Sequence, residues 1–264
     1  MPEQTIDLVR HPIDDAGYRS TCRNELARTG VLVLARFFTV AAVERVVAEF
    51  AGRESEAFYA QSTHNVWLTE PDPTLGADHV FNRQIVSTKG LLADDQINDD
   101  SPLKSVYNDA QFRKFVAEVV GLDAVHPYAD PMSSVNVHFH RDGEELGWHF
   151  DNSAFAVTAP FQLPEGGGVF EYAPTLRDSA AGNQNFDGVA AVLDGERTVE
   201  RLTLAPGDLV LFRGRDALHR VTPSIGTRTR LLAVFAFNEQ PDIRLSDSAM
   251  ETFYGRLASS VPTD

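Results

Sequence analysis

A series of short β-rich runs over residues 133–237 is the feature that most limits what this chain can fold into. Clusters of Gly, Pro and Asp separate the runs, and these residue types favour the backbone conformations of tight turns. Several short strands at this spacing are typical of an antiparallel sandwich or barrel. The runs read SSVNVHFH, FAVTAPFQ, GVFEYAP, RTVERLTL, DLVLFR and RLLAVFAF. We therefore predict a mainly β fold.

Helical patterns dominate the part of the chain before these runs, and we expect those helices to pack against one sheet. Thr39 suits a helix N-cap, and Gly121 suits a helix end. The predicted elements are helices over residues 14–28, 40–59 and 109–120, a buried strand over 31–38 and a short closing helix over 246–254. A length of 264 residues suits one domain, with N-terminal helical support over about 1–130, a β core over about 131–240 and a C-terminal segment over 241–264.

The charge of the chain argues against several classes of partner. Lys and Arg total 23 whereas Asp and Glu total 38, a formal net charge of −15. Nucleic acids and anionic membranes attract basic surfaces, so we expect neither as a partner.

Cys22 is the single cysteine, which excludes an intramolecular disulfide and a cysteine-based metal site. The N-terminus lacks a signal-peptide pattern and no apolar run could span a bilayer, so we expect a cytoplasmic protein.

Two passages in the β-rich half carry candidate metal ligands. They are GWHFDN, with His149 and Asp151, and ALHRVTP, with His219. Residues two apart in a strand point to the same face, so His149 and Asp151 can share a metal. Two imidazoles and one carboxylate leave coordination positions open and suit non-haem Fe(II), although zinc can use a related set.

A second His-x-Asp pair, His140 and Asp142, competes with the first. It runs into RDGEE, a predicted turn in which Asp142 would be solvated. His138 and His140 share one strand face, where histidines more often belong to the sheet surface or core. We therefore predict that His149 and Asp151 are the ligand pair.

Two arginines follow the distal histidine. Arg228 and Arg230 lie in GTRTR, just before an apolar strand. A buried Arg at this place can bind a carboxylate with two hydrogen bonds. The period of two puts both on the same face, and the alternative is that both are solvated at the start of the strand.

Together these motifs resemble the Fe(II)/2-oxoglutarate oxygenase superfamily over residues 133–237. The passages GWHFDNSAFAVT, GGGVFEYAP and PGDLVLFRGRDALHRVTPSIG are similar to the branch that contains the free amino-acid halogenases and their hydroxylase relatives. The resemblance implies a double-stranded β-helix (jelly-roll) core. It also implies Fe(II) held by His149, Asp151 and His219, with 2-oxoglutarate and O2 as cosubstrates.

Several details of the resemblance bear on the reaction and the substrate. Halogenases of this branch replace the metal-binding Asp by Gly, so the presence of Asp151 implies a hydroxylase. Spacing within the family favours Arg230 for 2-oxoglutarate, with Arg228 second. Arg83 lies where an Arg of the branch holds the substrate carboxylate. We expect a small metabolite, an amino acid or a derivative, although Leu146 replaces a His of the halogenases and weakens the transfer of a cationic amino-acid substrate.

Two alternatives make different predictions. A cupin-like metal enzyme would keep the His and Asp ligands but have no use for a carboxylate-binding Arg. A non-catalytic β-sandwich binding module would bind no Fe(II) tightly and consume no oxygen. Within the oxygenase hypothesis, desaturation or ring formation stays open beside hydroxylation. The sequence does not indicate an oligomeric state.

Overall fold

The computed structural model describes residues 5–258, and its dominant feature is a curled antiparallel sheet. The strands are β1 (Val31–Leu34), β2 (Phe58–His64), β3 (Ile85–Leu92), β4 (Val135–His140), β5 (Leu146–His149), β6 (Ala156–Gln162), β7 (Gly166–Gly167), β8 (Phe170–Ala173), β9 (Glu200–Leu202), β10 (Leu209–Phe212), β11 (Leu218–Val221), β12 (Ser224–Ile225) and β13 (Arg230–Phe235). Within residues 5–258 eleven of them form one sheet, in the order β1-β10-β6-β13-β4-β3-β5-β11-β8-β9, with β2 paired to β3. Strands β7 and β12 form a separate pair.

The sheet bends at β3. The C-terminal half of this strand pairs with β4, from Gly90 to Leu92, whereas Ser87 pairs with Leu146 of β5. One wall of the resulting half-barrel therefore contains β1, β10, β6, β13 and β4, and the other contains β5, β11, β8 and β9. The prediction of a mainly β, jelly-roll fold with N-terminal helices is confirmed.

Six helices accompany the sheet in the described part of the chain. They are α1 (Ala16–Thr29), α2 (Val40–Phe50), α3 (Pro102–Asn108), α4 (Ala110–Val120), α5 (Phe186–Leu193) and α6 (Asp247–Tyr254). Asp109 caps α4 by accepting a hydrogen bond from the Phe112 amide, and Gly121 ends it in the left-handed conformation. The predicted helices 14–28, 109–120 and 246–254 are confirmed to within a few residues, whereas α3 and α5 were not predicted. No helix within residues 5–258 is long and apolar enough to cross a membrane.

The main hydrophobic core lies between the helices and the outer face of the first wall. Phe139 and Phe235 on the sheet meet Phe112 and Phe115 of α4, and all four rings are at most 2% exposed. Each such burial contributes about 2–3 kcal/mol. Because strand side chains alternate, the opposite face of the same strands is free to line a cavity.

Two predicted elements end earlier than the sequence suggested. The helix predicted over 40–59 stops at Phe50, because Ala51 is extended and Gly52 adopts φ 77°. Phe58 and Tyr59, the last two residues of that prediction, instead begin the strand Phe58–His64, because pairing with β3 outweighs their helical pattern. The strand predicted over 31–38 stops at Leu34, where Arg36 takes a positive φ of 56°.

Two buried histidines of β4 should make the fold sensitive to acid. His138 and His140 are 9% and 1% exposed, and burial lowers the pKa of both rings well below 6.5. The unfolded chain therefore binds protons that the folded chain cannot, so stability falls as the pH drops below the unfolded pKa of about 6.5. At pH 5.5 each neutral ring should cost about 1.4 kcal/mol relative to neutral pH.

Urea unfolding of the wild type and of His140→Gln at pH 7.5 and 5.5 measures this effect. The variant should lose about 1.4 kcal/mol less than the wild type across that interval. An equal loss in the two proteins would contradict the assignment of a neutral His140.

Candidate metal centre

The three predicted ligands meet at one point of the second wall. His149 at the end of β5 and His219 in β11 are direct cross-strand partners, with ring centroids 4.1 Å apart. Oδ1 of Asp151 lies 3.7 Å from Nε2 of His149 and 3.5 Å from Nε2 of His219. All three residues offer a ligand atom within 4.8 Å of the others, and no second cluster of this kind occurs within residues 5–258.

Asp151 reaches the site by a different route from the one predicted. The period-two pattern predicts that it lies in the same strand as His149, but β5 ends at His149. The amide of Asp151 instead donates a hydrogen bond to the carbonyl of Gly214, at 3.0 Å, just before β11. A contact between two loops therefore positions the carboxylate. Trp148 and Phe150, which alternate with the candidate ligands, point away and pack in a buried cluster with Trp67.

Backbone carbonyls orient both imidazoles. Nδ1 of His149 lies 2.8 Å from the Gly147 carbonyl, and Nδ1 of His219 lies 2.9 Å from the Ala217 carbonyl. Because a carbonyl only accepts, each Nδ1 carries the proton and each Nε2 presents a lone pair. Fixing the tautomer in this way is typical of metal-binding histidines.

A third histidine, His64 at the end of β2, is connected to His149 by hydrogen bonds. Nδ1 of His64 donates to the Asn65 carbonyl, so its Nε2 accepts from Oγ of Ser87, at 2.8 Å. The Ser87 hydroxyl in turn accepts from the amide of Gly147, whose carbonyl holds His149. These bonds run in one direction, and such chains strengthen their members. Sequence reasoning missed His64, because the pairing of β2 with β3 was not foreseen.

The protonation states suit a cation. Burial lowers the pKa of His149 to about 3, and the neighbouring His219 adds to this effect. For Asp151, burial opposes ionisation, but His219 and His149 outweigh it and lower the pKa of the carboxyl. Oδ2 of Asp151 is buried and has no hydrogen-bond partner. Two buried imidazoles beside an unpaired buried carboxylate oxygen fit the ligand set of a divalent metal.

Gly214 leaves the space that the carboxylate occupies. A Cβ built on Gly214 would overlap with Oδ2 of Asp151 and lie 2.9 Å from Cε1 of His219. We expect Gly214→Ala to weaken Fe(II) binding by about 10- to 100-fold, since displaced ligands lose affinity on that scale. Its free energy of unfolding should change by only about 1 kcal/mol.

Anaerobic Fe(II) titration with thermal unfolding in parallel tests this prediction. Gly76→Ala is the matched control, because no atom lies within 4 Å of its added Cβ. Wild-type affinity in Gly214→Ala would show that the carboxylate does not need this space.

A cavity of about 340 Å³ opens between the two walls and contains the three ligands. Alternate residues of the strands line it, such as Ser87, Lys89 and Leu91 of β3 and Arg230, Leu232 and Val234 of β13. Most of the lining is apolar, with Phe58, Leu146, Phe170, Val210, Phe212, Val221 and Phe253 among its members. Such a mostly apolar cavity with a few polar groups is the usual form of a small-molecule site.

Of the two predicted arginines, the structure brings only Arg230 to this cavity. Arg230 is 3% exposed, and its Nε and Nη1 atoms are buried without a hydrogen-bond partner. Arg228 precedes β13, is exposed, and donates from Nε to the Leu163 carbonyl at 2.7 Å. The two therefore do not share a strand face, because β13 begins only at Arg230.

The other predicted residues lie elsewhere. Arg83 is exposed, pairs with Asp194 at 2.5 Å, and is absent from the lining of the cavity. Its role in holding a substrate carboxylate stays a prediction. Asp142 is exposed and accepts from the amide of Gly226, as expected for a turn. Lys89 was missed, although the alternation in IVSTKGLL could have placed it on the face of Ser87 and Leu91.

Comparisons with solved structures show the fold. A 2OG-Fe(II) oxygenase family protein from Burkholderia pseudomallei has a TM-score of 0.51 at 12% identity, covering 87% of this chain and 95% of that one. The non-heme alpha ketoglutarate dependent epimerase SnoN has a TM-score of 0.55 at 12% identity, covering 83% and 81%. The carbocyclase SnoK has a TM-score of 0.53 at 10% identity, covering 91% and 93%. A search of curated proteins found no significant match.

A comparison with family models identifies the relationship. The model of HalD, described as halogenase D, matches residues 83–255. This range includes the three candidate ligands and both arginines, so the predicted resemblance to the oxygenase superfamily and its halogenase branch is confirmed. Because the match covers more than half of the sequence, the chain belongs to the halogenase D family.

Proposed function

We propose that this protein is an Fe(II)/2-oxoglutarate-dependent hydroxylase of a small metabolite, an amino acid or a derivative. The observation that carries the proposal is Arg230, a buried guanidinium with unpaired donors in the same cavity as the three metal ligands. An unpaired buried charge is unfavourable unless a ligand neutralises it. A cupin-like enzyme without a dicarboxylate cosubstrate would have no use for it.

The donor set supports iron as the metal. His149 and His219 would bind it through Nε2, and Asp151 through its carboxylate. These three ligands leave the remaining positions for other molecules, as in non-haem Fe(II) oxygenases. When bound, iron supplies the oxidising chemistry by activating O2 at the expense of 2-oxoglutarate.

The residues of the chain bind and shield the reactants. Arg230 would hold the carboxylate of 2-oxoglutarate that is remote from the metal, since a guanidinium can donate two parallel hydrogen bonds to it. Burial lowers the pKa of Arg230 to about 10, so the side chain remains charged at neutral pH. Phe170, Phe212 and Val221 surround the ligands with apolar surface, which keeps water from the reacting centre.

Asp151 supports hydroxylation rather than halogenation. Halogenases of the branch carry Gly at this position, and the open place accepts a halide. Here the carboxylate fills that place, within 3.7 Å of both imidazoles. Two proteins with this fold are described as an epimerase and a carbocyclase, so the fold itself does not dictate the outcome of the reaction.

An anaerobic titration of the iron-loaded protein with 2-oxoglutarate tests the proposal. A visible metal-to-ligand charge-transfer band should appear, and air should then convert 2-oxoglutarate to succinate. Adding chloride should change neither the band nor the products. A correctly folded, iron-loaded protein without the band would favour the cupin-like alternative. A protein that binds no Fe(II) would favour the non-catalytic binding module.

A further inference from the structure

Lys89 is a cation of the cavity to which the proposed function assigns no role. It lies in β3 between Ser87 and Leu91, and all three side chains line the cavity that contains the metal ligands. Its cross-strand partner in β2 is Ala60, whose small side chain leaves room above the lysine stem. Burial lowers the pKa of Lys89 to about 8, and the Asp151 carboxylate opposes this shift.

No side chain of the described residues neutralises Lys89. The chain has three lysines. Lys104 forms ion pairs with Asp94 and Asp99, and Lys114 pairs with Glu118. Within residues 5–258, no carboxylate oxygen lies within 4.0 Å of the Lys89 ammonium.

The formal charges of the loaded site balance without Lys89. A divalent metal and Asp151 together carry one positive charge, and Arg230 carries another. The two negative charges of 2-oxoglutarate neutralise both. The loaded cavity therefore retains the charge of Lys89, a partly buried side chain beside apolar neighbours, and a carboxylate ligand could neutralise it.

No carboxylate among the described lining residues remains free to pair with a substrate. Asp151 is the only carboxylate among its described lining residues, and it would be engaged by the metal. A free ammonium group of a substrate would have no acidic partner there. The charge pattern therefore favours a molecule with a carboxylate and an apolar body over a cationic one.

We propose that Lys89 binds the carboxylate of the primary substrate, and that this substrate is a small carboxylic acid or an amino-acid derivative without a free ammonium group. The proposal rests on the proposed function and narrows its substrate class. The shared chemistry is a carboxylate at Lys89, and the cosubstrate is the other possible source of that group.

Matched neutral and anionic probes test the proposal. Calorimetry of the anaerobic Fe(II)–2-oxoglutarate protein would compare 4-methylpentanoate with 4-methylpentanamide, which differ in charge but hardly in size. The wild type should bind the acid about tenfold or more tightly than the amide, as expected for a charged hydrogen bond. Lys89→Met should remove this preference and leave 2-oxoglutarate affinity unchanged. Lys89→Arg and the surface control Lys114→Met should both keep the preference.

Each of the other results would contradict the binding of a substrate carboxylate by Lys89. Weaker 2-oxoglutarate binding in Lys89→Met, without a preference for the acid in the wild type, would assign the lysine to the cosubstrate. An acid preference that survives Lys89→Met, or that Arg83→Met removes instead, would overturn the proposal. So would the absence of a preference together with unchanged 2-oxoglutarate binding.

Failure of the proposed function would look different. The wild type itself would then show no charge-transfer band with 2-oxoglutarate. The comparison of acid and amide can still be made on the protein loaded with iron alone, so the role of Lys89 is measured separately.

Discussion

Replacing His219 with alanine should abolish 2-oxoglutarate turnover, because it removes one of the three candidate ligands that lie together within residues 5–258. His219 is 4% exposed, and its Nε2 lies 3.5 Å from Oδ1 of Asp151. Losing a direct ligand should cost more than the 10- to 100-fold typical of a supporting residue, so we expect Fe(II) affinity to fall by more than about 100-fold. Anaerobic Fe(II) titration and succinate formation measure the two effects.

The control for this variant is His126→Ala. The backbone of His126 pairs with Asn238, and its side chain is not among those that line the cavity. This variant should keep wild-type iron loading and turnover. Full iron loading of His219→Ala would mean that the metal is held elsewhere.

Replacing Arg230 with methionine should weaken 2-oxoglutarate binding by about 100-fold or more. Two charged hydrogen bonds, each contributing about 1.5–3 kcal/mol, account for a loss of this size. Arg228→Met is the matched control, because Arg228 already donates to the carbonyls of Leu163 and Pro164 outside the cavity. We expect its 2-oxoglutarate affinity to stay within about threefold of the wild type. The charge-transfer titration gives both dissociation constants.

Thermal unfolding separates lost binding from lost folding in the same variant. In the protein without cosubstrate, the Arg230 guanidinium is buried with unpaired donors. An apolar replacement of similar length should therefore leave the melting temperature unchanged or raise it. Equal losses of 2-oxoglutarate affinity in the Arg228 and Arg230 variants would contradict the assignment of Arg230 alone to the cosubstrate.

The sequence predicted the three candidate metal ligands that the structure brings together, because their signal is local. His149 and Asp151 are two residues apart, and His219 lies in a recognisable β-rich passage. The expected geometry was nevertheless incomplete. Asp151 depends on the Gly214 carbonyl, a contact between residues far apart in the chain, and no strand periodicity encodes such a contact.

The rest of the cavity depends on strand pairing, which local patterns describe poorly. β2 was not predicted, since its first two residues fell in a helical pattern and the rest in no predicted element, yet its pairing with β3 brings His64 and Lys89 to the cavity. The choice between Arg228 and Arg230 likewise depends on where β13 begins. A single residue at the start of a strand separates a solvated side chain from a buried one.

The bend of the sheet at β3 places two kinds of binding residue on different walls of the cavity. The candidate histidine ligands project from β5 and β11, whereas Arg230 projects from β13 on the opposite wall. At the bend Ser87 of β3 pairs with Leu146 of β5, and farther along Phe212 of β10 contacts Phe170 of β8. A cosubstrate bound to both the metal and Arg230 would act as a cross-brace between them. Binding of the cosubstrate would then also make the half-barrel more rigid. Without 2-oxoglutarate the two walls should move more relative to each other, and the protein would also be inactive.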